Sequence, residues 1–168
     1  MGQLRHLAMS VPDPWKTAEF YTYAFGFKVI GETDSSLAEG VYISDGVINI
    51  ALLKYKSDEM AQGTGKDFVG LHHIGIWVDD VEETRERVEK AGGKWVMGEP
   101  DLKGGSFYEV KFKDPNGVIF DLTHNGWGGA QRRPGEAGNQ EGPPRKLVPK
   151  FDERRAKAKK ALADATGE

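Results

Sequence analysis

The amino-acid sequence repeats itself after sixty-seven residues, and this duplication limits the folds that the chain can adopt. Residues 4–32 align with residues 71–99 without a gap, and eleven of the twenty-nine aligned positions are identical. Two copies are too few for a solenoid, which needs at least three repeats to bury a continuous core. The duplication therefore predicts one domain made of two pseudo-symmetric modules.

Each copy has the pattern of a strand, a helix and three further strands. Apolar residues alternate at the start of each copy, as in a half-buried strand, and residues 81–91 carry apolar residues at helical spacing. Two hairpin turns, at residues 45–46 and 114–117, separate the later strands. The predicted strands are residues 4–11, 28–31, 40–44, 47–54, 71–78, 94–97, 107–113 and 118–124. We therefore expect an α+β fold with two βαβββ modules, at about residues 3–55 and 70–125.

The composition changes at residue 126 and marks an extension outside the domain of residues 1–125. Residues 126–149 are rich in Gly, Pro, Asn and Arg, which is typical of a flexible segment. Residues 152–165 are rich in Ala and Lys and predict a short helix, with Asp152 as its N-cap. A mobile tail and a tail docked on the body or on a second subunit both fit this pattern.

Charge and composition exclude several classes of function. The net charge is −3, and residues 1–125 are acidic, so we expect no nucleic-acid partner. No stretch of eighteen apolar residues occurs and the start of the chain lacks a signal-peptide pattern, so we expect no membrane partner. The absence of cysteine rules out thiolate metal sites and fits a cytoplasmic location.

Two histidines and an aspartate could share one cavity. His6 and His73 occupy equivalent positions of the repeat, on the strand face opposite the apolar one. Asp121 lies inside an apolar strand, where a carboxylate is costly unless it is paired or bound to a cation. Two imidazoles and one carboxylate can hold a metal ion with open coordination positions. Structural histidines and a carboxylate paired with Arg or Lys are the alternatives, and strand alternation predicts that His72 points to the opposite face.

The segments HLAMSVPD, HHIGIWVDDVE and DPNGVIFDL together resemble the signatures of the vicinal oxygen chelate superfamily of glyoxalases, bleomycin-resistance proteins and extradiol dioxygenases. The resemblance covers about residues 3–125. It implies a cupped, eight-stranded mixed sheet around one divalent metal ion per chain, held by His6, His73 and Asp121. It also implies a homodimer and a small-molecule substrate that chelates the metal through neighbouring oxygens. Iron(II) is the favoured ion, with Mn, Ni, Co and Zn as the other candidates.

The branches of this superfamily differ in their ligands and in their chemistry. Members similar to glyoxalase I or to methylmalonyl-CoA epimerase supply a further oxygen ligand from the fourth strand, where Ala51 falls in this chain. Two histidines and one carboxylate match the dioxygenase branch and favour a dioxygenase-like enzyme. However, Lys111 stands where a tyrosine of the classical ring-cleaving enzymes belongs. A glyoxalase- or epimerase-like lyase or isomerase is the first alternative, and a ligand-sequestering protein that uses no metal is the second.

Further residues are candidates for the acid–base group and the pocket walls. Tyr108 and Glu109 lie on the predicted seventh strand, where one of them could face the cavity as an acid or base. A carboxylate on a solvated sheet is the alternative reading of Glu109. Trp77 is in phase with His73 and is expected, with Asn49 and Ala51, to line the substrate pocket.

Overall fold

The computed structural model describes residues 1–99 and 109–136, together with the four tail residues Glu153, Ala156, Lys157 and Lys160. In chain order the elements are β1 (Gln3–Ser10), α1 (Pro14–Phe25), β2 (Lys28–Asp34), β3 (Ala38–Ser44), β4 (Asn49–Tyr55), β5 (Gly70–Trp77), α2 (Val81–Lys90), β6 (Lys94–Met97), β7 (Val110–Lys113) and β8 (Ile119–Thr123).

The strands form one open, mixed sheet in the order β2-β3-β4-β1-β5-β8-β7-β6. The first strands of the two modules, β1 and β5, run antiparallel at the centre. Each of them pairs in parallel with the last strand of its own module, β4 or β8. The order is therefore symmetric about the boundary between β1 and β5, and the predicted eight-stranded sheet of two βαβββ modules is confirmed.

The two helices begin at equivalent residues of the repeat. The carboxylate of Asp13 accepts hydrogen bonds from the backbone N–H groups of Trp15 and Lys16 at the start of α1. Asp80 accepts one from the N–H of Glu83 at the start of α2. These N-caps satisfy backbone donors that have no partner within the helix. The shared spacing within the repeat thus reflects the same local requirement in both modules.

Each helix packs on the apolar face of the strands of its own module. The opposite face of the sheet is the concave one. Below α1, buried apolar residues of α1, β3 and β4 form one cluster, namely Trp15, Ala18, Val41, Ile43 and Leu52. Below α2, the matching cluster contains Val78, Val81, Val110, Phe112 and Leu122. Burial of this apolar area drives folding. The opposite, uncovered face of the central strands carries the polar residues of the site.

The remaining differences from the sequence pattern lie at element ends and in the tail. Strand β2 continues to Asp34, and residues 107–108 of the predicted seventh strand lie outside the described residues. In the predicted tail helix, the four described residues are helical and exposed, whereas Asp152 lies outside the described residues. No helix in the described ranges has the length and hydropathy needed to cross a membrane.

A pair of leucine truncations tests the placement of the core. Leu52 is fully buried under α1, whereas Leu71 is 56% exposed. We expect Leu52→Ala to lower the free energy of unfolding by about 2–5 kcal/mol, because it removes packed methyl groups and leaves a cavity. The matched change Leu71→Ala should cost less than about 0.5 kcal/mol in urea denaturation. Equal losses in the two variants would contradict the described packing.

Candidate active site

The pairing of β1 with β5 brings the two repeat-equivalent histidines together. His6 lies opposite Gly75, and His73 lies opposite Ala8, so each imidazole faces a small residue of the other strand. The ring centroids of the two histidines are 5.6 Å apart. Both side chains are buried, at 2% and 4% exposure. The pseudo-symmetry seen in the sequence thus becomes a pair of adjacent imidazoles.

Asp121 completes this cluster from the neighbouring strand β8. It lies beside Gly75 in the β5–β8 pairing and is fully buried. One ligand atom from each of His6, His73 and Asp121 lies within 4.8 Å of the others. Oδ2 of Asp121 accepts a hydrogen bond from Lys111 and lies 3.3 Å from Nε2 of His73. Oδ1 of Asp121 is buried and has no hydrogen-bond partner among the residues that the structure describes.

Asn49 determines which nitrogen of His6 carries the proton. The amide nitrogen of Asn49 donates to the carbonyl of Gly128 at 2.8 Å, so its oxygen must face His6. That oxygen lies 2.8 Å from Nδ1 of His6 and accepts a hydrogen bond from its N–H group. The neutral ring therefore keeps an unprotonated Nε2, which is the form that binds metals. Asn49 was predicted as a pocket wall, but the structure places it behind His6.

A second chain of hydrogen bonds determines the tautomer of His73. Nε2 of His72 lies 2.9 Å from the carbonyl of Ala61 and must donate to it. Nδ1 of His72 is then the acceptor and takes the hydrogen bond from Nδ1 of His73 at 2.8 Å, while the Tyr55 hydroxyl lies 3.2 Å from the same nitrogen. Since Nδ1 of His73 holds the proton, its Nε2 is left with a lone pair. Both histidines of the cluster thus offer Nε2.

The expected orientation of His72 was wrong because β5 is irregular at this residue. His73 pairs with Ala8, but the next pair joins Leu71 to Met9, so His72 has no opposite residue. Such a bulge breaks the strict alternation of side chains between the two faces. His72 is therefore buried beside His73 and supports it.

Burial keeps the imidazoles neutral at neutral pH. Loss of hydration lowers the pKa of His6 to about 4 and outweighs the opposing effect of Glu109. Burial, followed by the nearby Lys111, lowers the pKa of His73 well below its usual value. Burial also raises the pKa of the Tyr55 hydroxyl, with Asp121 acting in the same direction, so this group stays a donor.

Lys111 is the cation of the site. Its ammonium group binds Oδ2 of Asp121 and lies 3.6 Å from Oε2 of Glu109. Burial favours loss of its proton, but Asp121 and Glu109 outweigh this effect and raise the pKa of Lys111. The sequence allowed a buried carboxylate paired with Arg or Lys as the alternative for Asp121. The structure shows such a pair at Oδ2 of Asp121.

The chemistry of the donor set fits a divalent cation. Two neutral imidazoles direct unprotonated Nε2 atoms toward the cluster, and Oδ1 of Asp121 accepts no hydrogen bond within the described ranges. The unprotonated Nε2 of His73 also lies 3.3 Å from Oδ2 of Asp121. Two such electron-rich atoms repel each other, and a cation between or beside them would stabilise the arrangement. Imidazole nitrogen and carboxylate oxygen are common ligands of Zn, Fe, Co, Ni and Mn.

A cavity of about 90 Å³ adjoins this cluster. Ala51, Glu109 and Lys111 are among the residues that line it. The other lining residues are His6, Thr33, Ser35, Leu37, Ala38, Tyr42, Leu53, Tyr55, Gln62 and His73. Tyr108, the other predicted acid or base, lies outside the described residues. A volume of this size holds several water molecules or the reactive part of a small substrate.

Trp77 is placed away from the lining of this cavity. Its indole packs with Trp127 and Ala130 in a separate buried cluster, and its N–H donates to the carbonyl of His124. The prediction that Trp77 lines the substrate pocket therefore does not match its position. The strand alternation that put Trp77 on the face of His73 was correct, but a later segment of the chain covers this end of the face.

That segment, residues 126–131, closes one end of the concave face, and sequence reasoning missed it. Trp127 is fully buried and stacks on His6 with 4.9 Å between ring centroids. Its N–H donates to Oε1 of Glu109 at 2.7 Å. Gly75 leaves room for the indole, since a Cβ there would lie 2.6 Å from a Trp127 ring carbon. The expectation of a flexible segment thus fails for residues 126–131; a tryptophan within a glycine-rich stretch was the available signal.

Comparisons with known proteins point to one superfamily. The family model of the Glyoxalase/Bleomycin resistance protein/Dioxygenase superfamily matches residues 3–122. The chain is 33% identical over 133 residues to a probable chloroplastic lactoylglutathione lyase of Arabidopsis thaliana, a match that covers 74% of this chain and 36% of that protein. The chain therefore spans only about a third of the length of that relative.

Two further similarities cover nearly the whole of the other protein. An ethylmalonyl-CoA/methylmalonyl-CoA epimerase of Cereibacter sphaeroides is 31% identical over 136 residues, which are 73% of this chain and 97% of the epimerase. A solved structure of a variant of Streptomyces coelicolor methylmalonyl-CoA epimerase, in complex with 2-nitronate-propionyl-CoA, superposes with a TM-score of 0.60. That match has 21% identity and covers 71% of this chain and 94% of the other, so it supports the fold alone.

Replacement of Trp127 tests the closing segment. Trp127→Phe keeps an aromatic ring on His6 but removes the N–H that holds Glu109. We expect it to lower the free energy of unfolding by about 1.5–3 kcal/mol, because a hydrogen bond to a partly buried carboxylate is lost. Trp95→Phe is the matched control, since Trp95 is half exposed and donates to a backbone carbonyl. Urea denaturation that gives the same stability for both variants would contradict the placement of Trp127.

The lowered pKa of His6 predicts a pH dependence of stability in the metal-free chain. The unfolded chain takes up a proton at His6 near pH 6.5, whereas the folded chain does so only near pH 4. Between these values the unfolded state binds more protons, so the free energy of unfolding falls as the pH is lowered from about 6.5 to about 4. His6 alone should contribute about 3 kcal/mol to this fall.

Chemical denaturation in the presence of a chelator at several pH values measures this effect. His6→Gln removes the titrating ring, so its stability should depend less steeply on pH than that of the unmodified chain. Parallel curves for the two proteins would show that His6 is not buried in its neutral form.

Proposed function

The chain belongs to the glyoxalase/bleomycin resistance protein/dioxygenase superfamily, and we propose that it is a metal-dependent enzyme of the lyase or isomerase type. In this proposal it moves a proton next to a carbonyl group of a small substrate. The carrying observation is the orphaned Oδ1 of Asp121, which shares a buried site with two neutral imidazoles and with the carboxylate of Glu109. A site that can hold a metal ion and has the carboxylate of Glu109 nearby as a base is suited to proton abstraction.

The ligand set would consist of Nε2 of His6, Nε2 of His73 and Oδ1 of Asp121. When bound, a divalent ion would polarise the carbonyl oxygen of the substrate and so lower the pKa of the adjacent C–H group. Asn49 and His72 would hold the two imidazoles in the ligating tautomer. Supporting hydrogen bonds of this kind are typical of metal-binding histidines.

Glu109 would take the proton from the substrate and return it. Its side chain lines the cavity, together with two of the proposed ligands. The indole of Trp127 binds Oε1, and Lys111 lies near Oε2, so both carboxylate oxygens are held in place. A base that is held in one orientation within reach of the substrate needs little reorganisation during proton transfer.

The names of the relatives support a lyase or isomerase over an oxygenase. The sequence favoured a dioxygenase on the count of protein ligands alone. The Arabidopsis relative is named as a lyase and the Cereibacter relative as an epimerase. Neither activity needs dioxygen, and both names are compatible with proton transfer next to a carbonyl. We therefore place proton-transfer chemistry first.

Dioxygenase-like chemistry is the second candidate, because one observation favours it. Ala51 lies beside Ala8 in the β1–β4 pairing, just as Asp121 lies beside Gly75 in the β5–β8 pairing. The position that could supply a fourth ligand by pseudo-symmetry thus carries a methyl group. Two histidines and one carboxylate would leave three coordination positions for a substrate and dioxygen. The homodimer and the cytoplasmic location stay predictions from the sequence.

Metal analysis of the purified protein and of His73→Ala and Asp121→Ala tests the ligand set. We expect about one divalent ion per chain in the unmodified protein and a large loss in both variants, since each removes one of three ligands. His124→Ala is the control, because His124 lies outside the cluster. If the unmodified protein binds no divalent ion, the proposal fails and a ligand-sequestering function becomes the better explanation.

A second measurement separates proton transfer from oxygenation. Methylmalonyl-CoA and lactoylglutathione, which appear in the names of the relatives, are incubated with the metal-loaded protein in D2O, and deuterium at carbon is followed by NMR. We expect exchange that Glu109→Gln slows at least about a hundredfold while the bound metal remains. Substrate-dependent oxygen uptake with the iron(II) protein, without exchange, would instead support the dioxygenase candidate.

A further inference from the structure

Lys111 places a cation inside the proposed active site, where metal binding alone would not require one. Its side chain is about 10% exposed and lines the cavity between Asp121 and Glu109. An ammonium group has three donors. One binds Asp121 and another is directed toward Glu109, and the described residues offer no partner for the third. A group with a spare donor at the cavity wall can contact a bound ligand.

The net charge around Lys111 determines which charge a bound substrate should carry. Without a metal, the carboxylates of Asp121 and Glu109 exceed the ammonium of Lys111 by one negative charge, since the hydrogen bonds of His6 and His73 give each imidazole a single proton. A bound divalent ion would turn this balance into one positive charge. An unbalanced charge is costly here because Asp121 is fully buried and Lys111 and Glu109 are largely buried, so the protein replaces most of the water around the charged groups. A ligand with one negative charge would restore neutrality.

We propose that Lys111 makes the metal-loaded site selective for substrates whose metal-binding end carries a single negative charge. Examples of this chemical class are 2-hydroxy and 2-oxo carboxylates, which present two neighbouring oxygens and one negative charge. The proposal rests on the metal site of the proposed function and adds the charge of the group that the site takes. Lys111 would donate its third hydrogen bond to the anionic oxygen while Asp121 turns toward the metal.

The position of Lys111 also explains why the ammonium does not simply block the metal. It binds Oδ2 of Asp121, whereas Oδ1 of the same carboxylate has no hydrogen-bond partner in the described part of the chain. The two oxygens can therefore serve two cations. Repulsion between these cations would weaken metal binding until an anion joins them, because the two charges would lie close together with little screening. Binding of the metal and of the anion should thus be mutually favourable.

Glycolate and glycolamide form a matched pair of probes for this selectivity. Both present a hydroxyl and a carbonyl oxygen on neighbouring carbons, but only glycolate is charged. Binding to the cobalt(II)-loaded protein is followed by the visible absorption of the cobalt, which reports ligand exchange at the metal and needs no activity. We expect glycolate to bind the unmodified protein at least about tenfold more tightly than glycolamide, because its carboxylate is the stronger metal ligand and also gains a charge-assisted hydrogen bond from Lys111.

Lys111→Met tests the assigned residue, since methionine has a similar length without the charge. We expect this variant to bind cobalt(II) more tightly, and to bind glycolate about 10- to 100-fold more weakly with little change for glycolamide. Lys111→Arg should restore part of the preference for glycolate. Lys113→Met is the matched control, because Lys113 lies on the same strand but is not part of the cavity lining. It should leave the affinities for cobalt(II), glycolate and glycolamide unchanged.

The possible results separate this inference from the proposed function. If the unmodified protein binds cobalt(II) but takes glycolate and glycolamide equally well, the selectivity for one negative charge is refuted while the metal site stands. If the ratio of the glycolate and glycolamide affinities is the same in Lys111→Met as in the unmodified protein, the selectivity is wrongly assigned to Lys111. If the unmodified protein binds no cobalt(II), the proposed function fails first, and the inference fails with it.

Discussion

The antiparallel pairing of β1 with β5 is the contact on which the rest of the site depends. It joins the two copies of the repeat back to back, so that residues equivalent by sequence become neighbours in space. Each of the two histidines needs room on the opposite strand, and Ala8 and Gly75 provide it at equivalent positions of the repeat. At Gly75 the missing side chain serves two purposes, because the indole of Trp127 also occupies the space above it.

Burial then decides the chemical state of the polar groups. A buried imidazole or carboxylate is stable only if it finds hydrogen-bond partners, and most of these groups find them. Two backbone carbonyls, those of Ala61 and Gly128, lie at the ends of the two hydrogen-bond chains and determine the tautomers of His73 and His6. Among the buried imidazoles and carboxylates that the structure describes, the exception is Oδ1 of Asp121. An unsatisfied carboxylate oxygen beside two neutral imidazoles is a specific feature, and it is the basis of the proposed metal site.

The two modules share a fold but contribute different chemistry. Each supplies one histidine from its first strand, yet the acidic and basic residues, Glu109, Lys111 and Asp121, all come from the second module. The first module supplies Ala51 at the position related to Asp121 and forms much of the cavity wall. Duplication therefore created the frame of the cavity, and later divergence of the copies made the site asymmetric, with room on one side and reactive groups on the other.

The sequence by itself determined the fold and the sheet face on which the candidate ligands lie, because both follow from the repeat and from the alternation of residues along each strand. The repeat and its alternating strands predicted the eight-stranded sheet and placed His6, His73 and Asp121 on its concave face. Only the tertiary structure decided the orientation of His72 and the partners of Lys111 and Trp127. A bulge depends on how two strands pair, and Trp127 contacts residues far away in the chain, so neither follows from the local pattern. The candidate metal ligands are thus readable from the chain, whereas their protonation and their enclosure are consequences of folding.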